Sequence, residues 1–305
     1  MHTFINSVEQ TLAYRAYLCL AHVCNMLSDG YTYIGSDEPY DDVSVFSNSI
    51  SELTSDQITK VFSISNIERA RLYCDRDYDV YYLAHPPTRP DSESDQATNV
   101  QVAENGGVPE LFRYAASLLG CVKPDMRPKL VVTGHSLGGG LAAYSALSAA
   151  NAVDLDTVDL NTRDLNAVGV DTAASNIIDP NTLPSNAVSS VSQPLTFAFD
   201  PLGLSQSMLV GKQFRGVNRF IDWYPIDKSF VPLFNSEKFL SSIGNVQVLE
   251  ADPLRVAQGL DSHDLENVRH GLRRLWEINP TWRQRQIDLV TSVLDRHAYH
   301  PSFCG

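Results

Sequence analysis

With 305 residues, 43% of them hydrophobic and 19% charged, the chain has the material for one large α/β domain with a sizeable core. Its 23 basic residues stand against 36 acidic ones for a net charge of −13, which repels nucleic acid and anionic membrane surfaces and argues against a nucleic-acid-binding role. No apolar run approaches the roughly 20 residues that a membrane helix needs, so the expectation is one soluble domain over 1–305 without a transmembrane segment.

The five cysteines, Cys19, Cys24, Cys74, Cys121 and Cys304, are scattered without CxxC spacing and are expected to be reduced, mostly buried thiols. Cys19, His22 and Cys24 lie close together but cannot all face one ion and lack a fourth ligand, so neither a metal nor another cofactor is expected. Met1-His2-Thr3-Phe4 is not a basic segment leading into an apolar one, so the expectation is no Sec signal peptide, and a protein that is cytoplasmic or exported by a specialised route.

In chain order, Ser7-Val8-Glu9-Gln10 has the form of a capping box, and apolar residues then recur every three or four positions, which predicts a helix over about 7–28. The polar stretch to about Lys60 gives no clear pattern. Asp79 to Ala84 is β-branched and aromatic and reads as a buried strand stopped by Pro86-Pro87. Residues 89–107 are polar and largely acidic, and Pro109 to Leu119 reads as an amphipathic helix. Leu130-Val131-Val132-Thr133 reads as a strand covered on both faces, and Leu141 to Ala150 as a helix of small residues.

Residues 151–193 break this pattern with Asn, Asp, Ser and Thr. They contain a five-residue repeat from Val153 that resembles one coil of a pentapeptide β-helix, but an insertion serving as a cap, a partner surface or a tolerated loop is the preferred reading. Strands are then predicted at 195–199, 217–221 and 245–249 and a helix over 264–276. Strands alternating with helices predict a mainly parallel twisted sheet with helices on both faces, with a core over about 78–270.

Gly134-His135-Ser136-Leu137-Gly138 is a G-x-S-x-G sequence between a strand and a helix. Its glycines permit a strained turn that lifts a serine above the sheet at a helix N-terminus. A serine hydroxyl of ordinary pKa needs a base within reach and donors for the oxyanion before it attacks an ester. His135 diverges from its neighbour and reads as a packing residue. In the order Ser, Asp, His, the carboxylate is assigned to Asp222, where the strand 217–221 ends, with Asp227 as rival and Asp200 as a weaker one. The base is assigned to His263, in a loop before a helix, ahead of His270 inside that helix and of His297 and His300 in the tail.

Val132 to Ala142 resembles the nucleophile elbow of class 3 (fungal-type) lipases and their bacterial relatives. Leu195 to Leu204, Val217 to Pro225 and His263 to Asn267 are similar to further segments of that family, in the same order, and the likeness covers about 78–270. The resemblance implies an α/β-hydrolase fold and lipase, esterase or phospholipase A1 activity on a lipid or small ester, without a metal. It also implies an oxyanion site at Leu137 and Thr88. The family's Phe-Arg-Gly-Thr-like turn is here His85-Pro86-Pro87-Thr88, whose two prolines remove backbone donors. Where the family keeps an apolar lid this chain has the acidic segment 89–107, which favours a phospholipid or a smaller ester over neutral fat. An acyltransferase using the same residues, an inactive relative that binds a partner through 151–193, and an exported phospholipase held by an inhibitor protein are the alternatives.

Overall fold

The computed structural model describes residues 50–75, 80–156, 193–214, 216–227, 239–240, 243–258 and 263–295. The predicted N-terminal helix, most of the insertion with its repeats, and His297 and His300 lie outside the described residues. Nine strands are described: β1 (Ile50–Glu52), β2 (Arg71–Asp75), β3 (Val80–His85), β4 (Leu130–His135), β5 (Leu195–Phe199), β6 (Leu204–Ser205), β7 (Ile221–Tyr224), β8 (Phe239–Leu240) and β9 (Asn245–Val246). The helices are α1 (Ser55–Val61), α2 (Glu93–Ala103), α3 (Glu110–Gly120), α4 (Leu137–Asp156), α5 (Gln206–Leu209), α6 (Pro253–Ala257), α7 (Leu265–Ile278) and α8 (Pro280–Asp295).

Seven strands form one sheet in the order β1-β2-β3-β4-β5-β7-β9. The pairings from β3 to β9 are parallel, whereas β1 and β2 add an antiparallel edge that the sequence did not reveal. Among the described residues no helix is long and apolar enough to cross a membrane.

Alternation along the strands divides the core in two, because successive side chains leave opposite faces of a sheet. Leu83, Val132, Ala198 and Trp223 join one apolar cluster with Leu118 of α3 and Leu141 and Leu147 of α4. Tyr82, Val131, Phe197 and Tyr224 join the other with Val268, Leu272 and Trp276 of α7 and Trp282 of α8. Helices therefore cover both faces, and this is an α/β fold. The first face is packed by helices that connect the parallel strands. The second is packed by α7 and α8, which lie after the last strand.

Three expected boundaries shift. The helix after β4 runs on to Asp156, into the segment expected to be insertion. Val217–Arg219 is a 3₁₀ turn entered through Gly216 at φ +77°, and the strand begins only at Ile221. The acidic segment expected where a lid would lie contains helix α2, capped by the Ser92 hydroxyl accepting from the Asp95 N–H. The cysteines also differ from expectation: Cys74 in β2 is disulfide-bonded, while Cys121 is free.

Close backbone approach sets the position of α4 against the sheet. A Cβ on Gly134 would lie 2.2 Å from the Gly138 carbonyl, and one on Gly138 would lie 2.1 Å from the His85 carbonyl oxygen. Gly138→Ala should therefore destabilise the protein by about 1–3 kcal/mol or more, read as a lower urea midpoint. Gly120→Ala, at the end of α3 with nothing within 4 Å of the added carbon, should leave that midpoint unchanged or raise it slightly.

Candidate active site

The parallel strands end on one edge, where loops and helix N-termini converge. Ser136 stands there between β4 and α4 with φ +57°, a left-handed conformation that a non-glycine residue adopts only when its surroundings hold it. Its N–H donates to the Phe199 carbonyl at 3.1 Å, and its own carbonyl accepts from Leu202 N–H at 2.9 Å and Gly140 N–H at 3.2 Å. The elbow is thus pinned to the end of β5 as well as to its own helix. Leu137, the first residue of α4, is buried and brings its N–H to the helix N-terminus, where backbone donors and dipole favour negative charge.

His263 directly precedes Asp264, which caps α7 by accepting from the Glu266 N–H at 2.5 Å, so the imidazole leaves the chain just before the helix begins. Arg255 pairs with Asp264 and steadies this junction. The His263 Nδ1 lies 2.5 Å from Asp200 Oδ2. A carboxylate only accepts, so Nδ1 carries the proton and Nε2 is the ring's acceptor nitrogen, the tautomer that general-base work on a serine requires. Asp200 is 1% exposed, sits at φ +34° just past β5, and its Oδ1 accepts from the Ile226 N–H at 3.0 Å.

The expectation that Asp222 faces the histidine is corrected by this geometry. Because the strand starts at Ile221, Asp222 lies within β7 in register with Phe197, three residues short of the edge where Asp200 stands. Its side chain projects toward α8. Arg285 at 2.6 Å and Asn245 at 3.2 Å donate to its Oδ1, while Gln286 at 2.7 Å and the Tyr224 hydroxyl at 3.0 Å donate to its Oδ2. Four donors fill a carboxylate's acceptor sites, so Asp222 has no lone pair left for an imidazole. The rival Asp227 is exposed, and its N–H bonds to the Leu249 carbonyl. His270 lies within α7 with Nδ1 3.9 Å from Asp252.

Two buried histidines complete the surroundings. The His135 ring stacks on His263 at 4.5 Å between centroids with a 30° tilt, and its Nε2–H donates to the His263 carbonyl at 2.8 Å. Burial, reinforced by the neighbouring His263, lowers its pKa to about 3. A neutral ring in this place supports His263 without repelling a positive charge formed on it. His85, at the end of β3, is pushed to about 4 by burial alone.

The turn after β3 runs beside the elbow, since the His85 and Pro86 carbonyls pack against Gly138. Helix α2 holds its far end. Asp95 Oδ2 accepts from both the backbone N–H and the Nε of Arg89 at 3.1 Å, and Arg69 pairs with the same carboxylate. One turn along, Asn99 Nδ2 donates to the Thr88 hydroxyl oxygen at 2.9 Å. Neither Asp95 nor Asn99 was singled out in the sequence. The Ser92-x-x-Asp95 capping pattern was the available signal for the helix that carries them.

No protein family matches the sequence, and no curated protein does. Among solved structures, the chain is similar to Lip2 lipase from Yarrowia lipolytica at 11% identity and a TM-score of 0.37, over 76% of this chain and 78% of that one.

Two outcomes follow. Asp222→Ala strips a buried carboxylate from partly buried Arg285, and should cost about 3 kcal/mol in chemical denaturation, the lower end for a broken buried pair. The second concerns acid. His85 and His135 bind protons in the unfolded chain near pH 6.5 but in the folded chain only near 4 and 3, so stability is full above about 6.5 and falls as the pH drops toward those values. Each histidine contributes up to about 1.4 kcal/mol per pH unit in that window, and His85→Phe should flatten the measured stability–pH slope between pH 6 and 4.5.

Proposed function

We propose that the chain is a serine hydrolase of the α/β-hydrolase type, acting on carboxylic esters, with Ser136 as nucleophile, His263 as base and Asp200 as the orienting carboxylate. The observation that carries this reading is the His263–Asp200 hydrogen bond at the strand edge where Ser136 is held in its left-handed elbow. His263 Nε2 takes the Ser136 proton as Oγ bonds to the acyl carbon, and the carbonyl electrons move onto oxygen. Leu137 N–H and Thr88 stabilise that oxyanion. When the intermediate collapses the ester C–O bond breaks, and the alcohol leaves with the proton from His263. Water, deprotonated in turn by His263, adds to the acyl carbon; the acyl–Oγ bond then breaks, the acid leaves, and Ser136 Oγ takes the proton back from His263.

The buried carboxylate of Asp200 fixes the tautomer and stabilises the imidazolium, while the neutral His135 ring underneath adds no opposing charge. The resemblance of the elbow to class 3 lipases supports a lipid ester as substrate, including a phospholipid cleaved in the phospholipase A1 manner.

An active-site fluorophosphonate should label the wild type and not Ser136→Ala. On p-nitrophenyl butyrate, His263→Ala and Asp200→Asn should each lower kcat by about 10³- to 10⁴-fold in folded protein, whereas Asp222→Asn should lower it no more than a few-fold. Equal labelling of wild type and Ser136→Ala, or loss of turnover in folded Asp222→Asn but not in Asp200→Asn, would contradict the assignment.

A further inference from the structure

Besides Asp200 at its Nδ1, His263 is held at two points by one residue. His135, the last residue of β4 and the chain neighbour of Ser136, donates its Nε2–H to the His263 carbonyl at 2.8 Å and stacks on the imidazole at 4.5 Å between centroids. A carbonyl only accepts, so Nε2 carries the proton and Nδ1 is the ring's bare nitrogen. That Nδ1 is buried without a hydrogen-bond partner among the described residues.

Such a ring is a poor choice for packing alone. An unmet buried acceptor, and a proton that the unfolded chain binds near pH 6.5 but the folded ring refuses, both destabilise the native state, and a phenylalanine would fill the space with neither. Asp200 past β5, Asp264 at the head of α7 and the bond to the His263 carbonyl favour a protonated ring, the His263 imidazole opposes it, and burial outweighs them and keeps it neutral. What the histidine supplies and a phenylalanine cannot is the N–H to the His263 carbonyl.

The contact also has a particular place in the fold. Phe199 lies in register with His135, accepts the Ser136 N–H and is followed by Asp200. The nucleophile, the orienting carboxylate and the donor to the base loop therefore all leave the ends of two adjacent strands. Beyond His263, Asp264 accepts from the Glu266 N–H and pairs with Arg255, so the His263 backbone is held from both directions.

We infer that His135 is a positioning residue for ester hydrolysis: its Nε2–H, given to the His263 carbonyl, registers the base on the residue next to the nucleophile. This rests on the Ser136 reading above. It assigns the elbow two tasks, presenting the serine and fixing where its base stands.

The test is steady-state kinetics on p-nitrophenyl butyrate, with urea denaturation of each variant at pH 7 and pH 5. His135→Phe keeps a ring and loses the donor, and is expected to lower kcat about tenfold with KM within about twofold, the worth of one orienting hydrogen bond. His135→Gln, whose carboxamide N–H comes near the place of Nε2, should keep kcat within about threefold of wild type. The fluorophosphonate should label Ser136 about tenfold more slowly in His135→Phe, since that reaction also draws on the base. Stability should not follow activity: the wild-type urea midpoint falls from pH 7 to pH 5 as the unfolded chain takes up protons, and that of His135→Phe should fall less. Full kcat in folded His135→Phe, or a loss in His135→Gln as large as in His135→Phe, would overturn the inference while Ser136 is still labelled. Should His135→Phe not fold, His135→Met, which fills the space without a donor, replaces it with the same expected loss. A folded wild type with neither label nor turnover overturns the underlying reading and this inference together.

Discussion

The close packing of the first turn of α4 onto the strand edge is the constraint on which the rest of the site depends. Gly134 and Gly138 touch each other across the elbow, Gly138 also meets the end of β3, and added carbons on Gly139 and Gly140 would lie 2.8 Å from Pro201 and from the Leu202 carbonyl. Three chain segments, after β3, β4 and β5, are thereby drawn onto one helix N-terminus. A side chain at any of these positions would push one of them away. Because β5 ends against the elbow, Asp200 stands near enough for the loop before α7 to bring His263 onto it, and because β3 ends against it, the turn to Thr88 runs alongside.

The chain uses two buried aspartates in opposite ways. Asp200 is 1% and Asp222 2% exposed, and both lie at or near the ends of neighbouring parallel strands. Asp200 accepts from the Ile226 N–H and from the His263 imidazole. Asp222 is filled by a guanidinium, two carboxamides and a phenol, and ties β7 to α8 and β9. One carboxylate holds an imidazole, and the other anchors a helix that covers the second face of the sheet.

Much of this was legible in the sequence. The elbow, the strands at 130–135 and 195–199, and the helices over 110–120 and 265–278 follow from continuous apolar runs, glycine spacing and amphipathic period, all local signals. The error over the carboxylate has a specific cause: Val217-Asn218-Arg219-Phe220-Ile221 has the apolar alternation of a strand, but Gly216 turns the chain into a 3₁₀ segment and delays the strand by four residues. That delay moves Asp222 back from the edge. The partners of Asp222 were equally hidden, because Arg285 and Gln286 lie 63 and 64 residues farther along the chain, on α8, whose start is marked only by the Asn279-Pro280 cap. The antiparallel strands β1 and β2 are short and polar at their exposed positions, and only pairing, of β2 with β3 and of β1 with β2, makes them strands. The hold of Asp95 and Asn99 on the turn after β3 is tertiary and has no local signature beyond the helix itself.

The most direct test is a crystal structure of the covalent adduct formed with an alkyl phosphonate. The account predicts the phosphorus bonded to Ser136 Oγ, one phosphonyl oxygen within hydrogen-bond distance of both the Leu137 N–H and the Thr88 hydroxyl, and His263 between the adduct and Asp200. An adduct on another residue, or a His263 ring turned from Asp200 with Ser136 modified, would contradict it.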